Sequence, residues 1–258
     1  MRIFLVGGVI SYRALFHFLH PAIFIPTLLV VPVFQILLFA YIGRSAGVES
    51  DEFYVIGNAT HNAALPCIWA TVQAIAGERW QNTLGYLLAS PAPRIPLFLG
   101  RAVPVVANGF LITLFALVVG GGLLGVTFSP STLASIAAVT AVAAFACTGL
   151  GFVLAALGLV IREISILNNL LFGFLLVFTG ANVPLDAFPD VIQTLSHALP
   201  LRHGIEAARE IAAGATLGDV VGLVAAEAFV GVLYGVCGFA MLRAFEELSR
   251  RRATLEIA

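Results

Sequence analysis

Long apolar runs, few charges and arginines gathered between alternate runs predict an all-α integral membrane protein with six transmembrane helices and an N-terminal interfacial helix. Of 258 residues, 60% are hydrophobic and 10% are charged, against about 25% charged in soluble domains. Mean hydropathy is +1.02. A soluble fold has no core large enough for this much apolar surface, whereas a helix of about 20 apolar residues crosses a bilayer. Six crossings use most of the chain, so it is read as a single transmembrane domain over residues 1–258 with no sizeable soluble part.

Residues 1–20 alternate Arg2, Arg13, His17 and His20 with Phe4, Leu15, Phe16 and Phe18, as suits a helix lying at the membrane surface. Arg13 interrupts the first apolar stretch before any small-residue cleavage site, so no signal peptide is expected. Pro21 turns the chain inward. The six spans are expected at 22–43, 53–77, 102–125, 132–161, 164–184 and 217–242. Pro26 and Pro32 fall inside the first, which transmembrane helices tolerate. The second is the most polar, with Asn58, His61, Asn62, Pro66, Trp69 and Gln73. Between the fifth and sixth lies a long polar stretch, within which 204–213 reads as a short amphipathic helix.

Orientation follows from arginine placement. Arg2, Arg13, Arg79, Arg94, Arg101, Arg162, Arg243 and Arg250 to Arg252 share one side, whereas Arg44, Arg202 and Arg209 share the other. Both termini are therefore expected in the cytoplasm, which requires an even number of spans. The net charge of −1 gives no reason to expect nucleic acid as a partner. Cys67, Cys147 and Cys237 each sit in an apolar run and form no CxxC pair, so neither a disulfide framework nor a metal site is expected. The motifs GxxxxGK[ST], HExxH and GxSxG are absent. The chain is therefore not expected to be an enzyme, and any ATP hydrolysis falls to a separate protein.

Polar groups inside a membrane usually face the bundle interior or a water-filled path. Asn58, His61, Asn62 and Gln73 on the second span, Asn168 and Asn169 on the fifth, and Glu227 near the middle of the sixth are candidates for a substrate path or a dimer seam. Helix–helix hydrogen bonding explains each Asn equally well. Glycines, among them Gly149, Gly151, Gly158, Gly231, Gly235 and Gly238, would let helices approach closely, and Gly231 with Gly235 makes a GxxxG pair.

The most specific segment runs from Glu78 to Arg94. Thr83 is a plausible N-cap, Leu84, Leu87 and Leu88 share one face, and Pro91 stops the helix. The pattern alone fits either a helix resting on the bilayer or one contacting a partner. Glu78, Arg79, Thr83, Leu84, Leu87, Leu88, Ser90, Pro91 and Arg94 resemble the segment after the second span in type-2 ABC transporter permeases, the family of many bacterial drug and polysaccharide exporters. Departures are Asn82, where Gly is common, and Gly85, where Glu is more frequent. Thr179-Gly180, Val183-Pro184-Leu185, Phe188-Pro189 and the run from Leu199 to Arg209 are similar to the family's segment between its fifth and sixth spans.

The resemblance implies that residues 78–94 form a cytoplasmic coupling helix docked on an ATPase subunit, which uses ATP and magnesium; this chain itself holds no cofactor. It implies short re-entrant helices near the outer leaflet, with Pro184, Pro189, Pro200, Arg202 and Arg209 at an outer gate. It further implies a second permease copy or homologue, the bacterial inner membrane, and export of a hydrophobic or lipid-linked substrate. An ion-coupled carrier or channel using Glu227 and His61 is the alternative, and a membrane-embedded lipid enzyme is a weaker third reading.

Overall fold

The computed structural model describes residues 29–80, 106–161 and 163–252, which form helices and turns with no strand among them. α1 (Val31–Ala46) opens on Pro32 and ends at Gly47, whose φ of 65° is the left-handed cap that glycine adopts without strain. Three residues later the Ser50 hydroxyl accepts the Phe53 N–H and starts α2 (Asp51–Asn62). Arg44 closes this turn: its guanidinium pairs with Asp51, with Nε donating over 2.7 Å.

The expected second span is two helices, α2 and α3 (Ala64–Trp80), broken at Ala63. Pro66 is the cause, since it has no N–H to donate to the carbonyl of Asn62. α4 (Val106–Leu124) contains a π-helical turn, Ala116–Gly120, and stops at Gly125 with φ 77°. α5 (Pro130–Gly158) starts with Ser129 as N-cap and proline at its first position. α6 (Ile164–Phe178) is shorter than the expected 164–184. The left-handed Gly180, with φ 81°, and then Pro184 stop it. A 3-10 turn (Leu185–Ala187) leads to α7 (Asp190–Ser196), α8 (Arg202–Ala212) and the long α9 (Val221–Arg252).

Among the described residues three helices are long and apolar enough to cross a membrane: Val106–Leu124, Pro130–Gly158 and Val221–Phe245. α1 and α6 are shorter apolar helices.

The core is organised around α5, which packs on α3, α8 and α9. Backbone meets backbone between α5 and α9. A Cβ on Gly149 would lie 2.4 Å from the Gly231 carbonyl oxygen, and one on Gly238 would lie 2.7 Å from Phe152. On the opposite flank Gly151 meets Thr71 and Gly158 meets Ala76 of α3. These pairings rise together along both chains, so α3, α5 and α9 run parallel. By the same logic α1 runs against α2, because Gly43 faces Tyr54 while Gln35 reaches Asn58. α4 runs against α2 and α3, with Thr113 donating to the Ala59 carbonyl and Gly109 against Cys67. α6 also runs against them, since Phe172 meets His61 and Ile164 lies at Gly158, beside Ala76. Direction therefore alternates from α1 through α2–α3, α4, α5 and α6 to α9.

One end of the bundle gathers Gly47–Ser50, Gly125–Ser129 and the segment after α6. The other gathers the ends of α3, α5 and α9. α8 starts deep: Gly204 packs on Ala143, thirteen residues and about 20 Å along α5 from its first residue. It then rises toward the first end, where Arg209 meets Phe53.

Candidate functional site: a polar interior between α2, α6 and the segment that follows

The polar side chains of α2 form a connected group. Gln35 of α1 donates to Asn58 Oδ1 over 3.0 Å, and Asn58 Nδ2 donates to Asn182 Oδ1 over 2.7 Å and to the Tyr54 carbonyl over 2.9 Å. One turn on, Asn62 donates to the Asn58 carbonyl. His61 points elsewhere, with its ring 4.4 Å from that of Phe172 and Nε2 3.4 Å from the Phe172 carbonyl oxygen. Thr60 Oγ1, His61 Nδ1, Asn168 Nδ2 and Asn182 Nδ2 are buried and make no hydrogen bond within the described residues. An unpaired buried polar atom carries a desolvation penalty of about 1–3 kcal/mol, so this wall of α2, α6 and residues 179–183 retains bonding capacity that its own side chains do not use.

The expected path residues separate in space. Asn58, His61 and Asn62 lie buried on α2, and Asn168 is buried on α6. Asn169, beside it, is exposed. Gln73 lies beyond the break at Ala63 and is half-buried, and Trp69 is 47% exposed. The break ends the continuous face on which a single helix would have aligned Asn58, Asn62, Trp69 and Gln73. Gln35 and Asn182 join the group unannounced. A lone Gln in an apolar run was their one sequence signal, together with the Asn in the Gly- and Pro-rich end of the fifth span.

Glu227 belongs to a different group. It is the seventh residue of α9, nearer the start of that helix than its middle, and fully buried. Oε1 accepts the Leu201 N–H over 2.6 Å and Oε2 accepts the Gly204 N–H over 3.1 Å. Leu201 has φ 77°, a conformation that strains a leucine by about 1–2 kcal/mol.

The residues expected at an outer gate lie along the α7–α8 hairpin, which runs from Pro184 and the 3-10 turn to the end of α8. Pro184 precedes the 3-10 turn, Pro189 precedes α7, and Pro200 is buried in the turn before α8. Arg202 pairs with Glu206 one turn along α8. Arg209 clamps three elements. Its guanidinium carbon is 3.5 Å from the centroid of Phe53, and Nη2 donates to the carbonyls of Phe53 and Ala181 over 3.2 and 3.3 Å. Gly57 permits this closure, because a Cβ there would lie 2.1 Å from the Ala181 oxygen.

Among the described residues no group of three or more His, Cys, Asp or Glu is placed to hold a metal ion. A model of the family "ABC-2 type transporter" matches residues 11–212, more than three quarters of the chain. The chain belongs to the ABC-2 type transporter family. It is also 27% identical over 171 residues to Nodulation protein J of Sinorhizobium fredii, an alignment that takes in 66% of this chain and 64% of that protein's length. As an ABC-2 membrane protein with apolar bundle helices, it is a transporter component of the membrane. Of the residues that resemble the family's coupling segment, Glu78 and Arg79 lie in the last turn of α3. Thr83, Leu84, Leu87, Leu88, Ser90, Pro91 and Arg94 lie outside the described residues, as do the interfacial segment 1–20 and the start of the first expected span.

Proposed function

We propose that this chain is the permease subunit of an ATP-driven exporter in a bacterial inner membrane. It pairs with a second permease copy or homologue and with two ATPase chains, and it moves a hydrophobic or lipid-linked substrate out of the cytoplasm. The observation that carries this reading is the family match, which spans the whole segment 78–94 together with the hairpin. The family implies an ABC ATPase partner, and this chain has no P-loop of its own. The alternation of helix direction supports six crossings with α2–α3 as one kinked span, and both termini then lie with the arginine-rich cytoplasmic side. The depth at which α8 begins supports a re-entrant hairpin, since non-helical backbone is tolerated at membrane depth where protein buries it.

ATP binding would close the ATPase pair, residues 78–94 would carry that motion to α3, and the polar wall of Asn58, His61, Asn62 and Asn168 would line the path. Glu227 and His61, the pair an ion-coupled carrier would use, sit in separate hydrogen-bond groups, and both Glu227 oxygens are already taken by backbone N–H groups.

The test is Leu87→Asp, which puts a charge on the leucine face of the coupling segment. The variant is expected to insert normally and to lose its ATPase on co-purification. Undiminished recovery of the ATPase, or transport by the purified chain without ATP, overturns the proposal.

A further inference from the structure

The start of α8 raises a chemical problem that its own residues do not solve. The first N–H groups of a helix have no acceptor within the helix. Leu201, at the N-cap position, has no side-chain oxygen to offer. Because Gly204 packs on Ala143, midway along α5, these donors lie well inside the bundle. The acceptors come instead from α9. Glu227 accepts from Leu201 with one oxygen and from Gly204 with the other. Tyr234, seven residues and two turns further on, donates its hydroxyl to the Ala198 carbonyl over 3.0 Å. One face of α9 thus grips the α7–α8 turn from both sides, taking its N–H groups and supplying its C=O. Leu201 holds its left-handed backbone, the one positive φ among described non-glycine residues, at the centre of that grip. His203 stands beside it, with Nδ1 3.9 Å from Glu227 Oε2 and Nε2 3.2 Å from Nδ1 of His197.

We propose that Glu227, assisted by Tyr234, is a positioning residue that locks the α7–α8 turn onto α9, so that the hairpin and α9 move as one body during transport. The lock itself is geometry. Its use in transport rests on the exporter reading above.

The deciding experiment is residue-resolved hydrogen–deuterium exchange on the full chain in lipid nanodiscs. Glu227→Gln is isosteric, so a side chain that merely fills space predicts no change. The lock predicts that the amide of Leu201 or Gly204 exchanges at least about tenfold faster, because an amide group accepts through one oxygen where the carboxylate accepts through two. Tyr234→Phe should accelerate the same amides by a smaller factor, and it reads the lock if the Glu227 variant does not accumulate. Unchanged exchange at both amides in the variants overturns the proposal.

A second arm uses the chain with its co-purified ATPase and spin labels at Glu210 and Val232, both exposed. Their separation should hold constant on adding ATP in the wild type and spread in Glu227→Gln. A wild-type separation that changes with ATP overturns the one-body claim. If no ATPase co-purifies, the exporter reading fails while the exchange arm still decides the lock.

Discussion

The two flanks of the bundle are joined by opposite chemistry. Between α5 and α9 the helices touch through Gly149, Gly231 and Gly238, with backbone against backbone. Between α2, α6 and the hairpin the joint is made by Gln35, Asn58, Asn182 and Arg209, with buried polar atoms left over. Glycine packing has one good arrangement, because an interface without voids or rotamer choices resists sliding. Hydrogen bonds between side chains exchange partners more readily, and unspent donors can meet a substrate or a water. On this comparison the first flank is a close-packed frame and the second a polar wall with spare hydrogen-bonding capacity.

The largest expected effect breaks the frame. Gly231→Leu drives a side chain into Ala146, whose Cα lies 2.7 Å from the would-be Cβ, and should cost about 3 kcal/mol or more. It reads out as lost accumulation or a sharply lower melting temperature in detergent. Gly235→Leu is its control: nothing lies within 4 Å of a Cβ there, so stability should stay within about 0.5 kcal/mol of wild type. Equal damage from both would mean that the seam has been placed on the wrong face of α9.

Arg209→Met should be intermediate. It removes the one donor that ties the Phe53 and Ala181 carbonyls together, for about 1–3 kcal/mol by thermal unfolding. Arg209→Lys should recover little, because lysine has no planar fork to lie on Phe53 while bonding two carbonyls. Full rescue by lysine would reduce the clamp to simple charge.

The smallest effect is expected at Asn182→Ala. Hydrogen bonds between membrane helices average about 0.6 kcal/mol and reach about 1.7, so stability should barely fall while, on the exporter proposal, ATP-driven transport changes more. A stability loss as large as that of Gly231→Leu would erase the distinction between frame and wall.

Much of the frame was legible in the sequence, because a bilayer imposes long apolar runs. Pro130–Gly158 and Val221–Phe245 lie close to the expected 132–161 and 217–242. Boundaries shifted where a local stop outweighed hydropathy. Gly180 ended α6 while Val183 and Pro184 still read as apolar, and Pro66 split the second span because one missing N–H breaks a helix whose composition continues. The glycine seam was visible as small residues, but spacing did not reveal that Gly235 presents open space while Gly238 meets Phe152. The polar wall was legible as Asn58, His61 and Asn62. Its partner Asn182 was not, since 124 positions separate it from Asn58. Glu227 stood out as a lone carboxylate in an apolar run. Its partners are backbone groups of Leu201 and Gly204, and no side-chain pattern announces those.

α9 is one unbroken rod of 32 residues, about 48 Å from Val221 to Arg252. Its far stretch carries Arg243 and Arg250 to Arg252, and its near stretch carries the carboxylate beneath the hairpin. A stiff lever of that length turns a tilt of about five degrees at one tip into a displacement of about 4 Å at the other. Whatever pushes on the basic tip is therefore felt across the full thickness of the bundle without any relay of side chains.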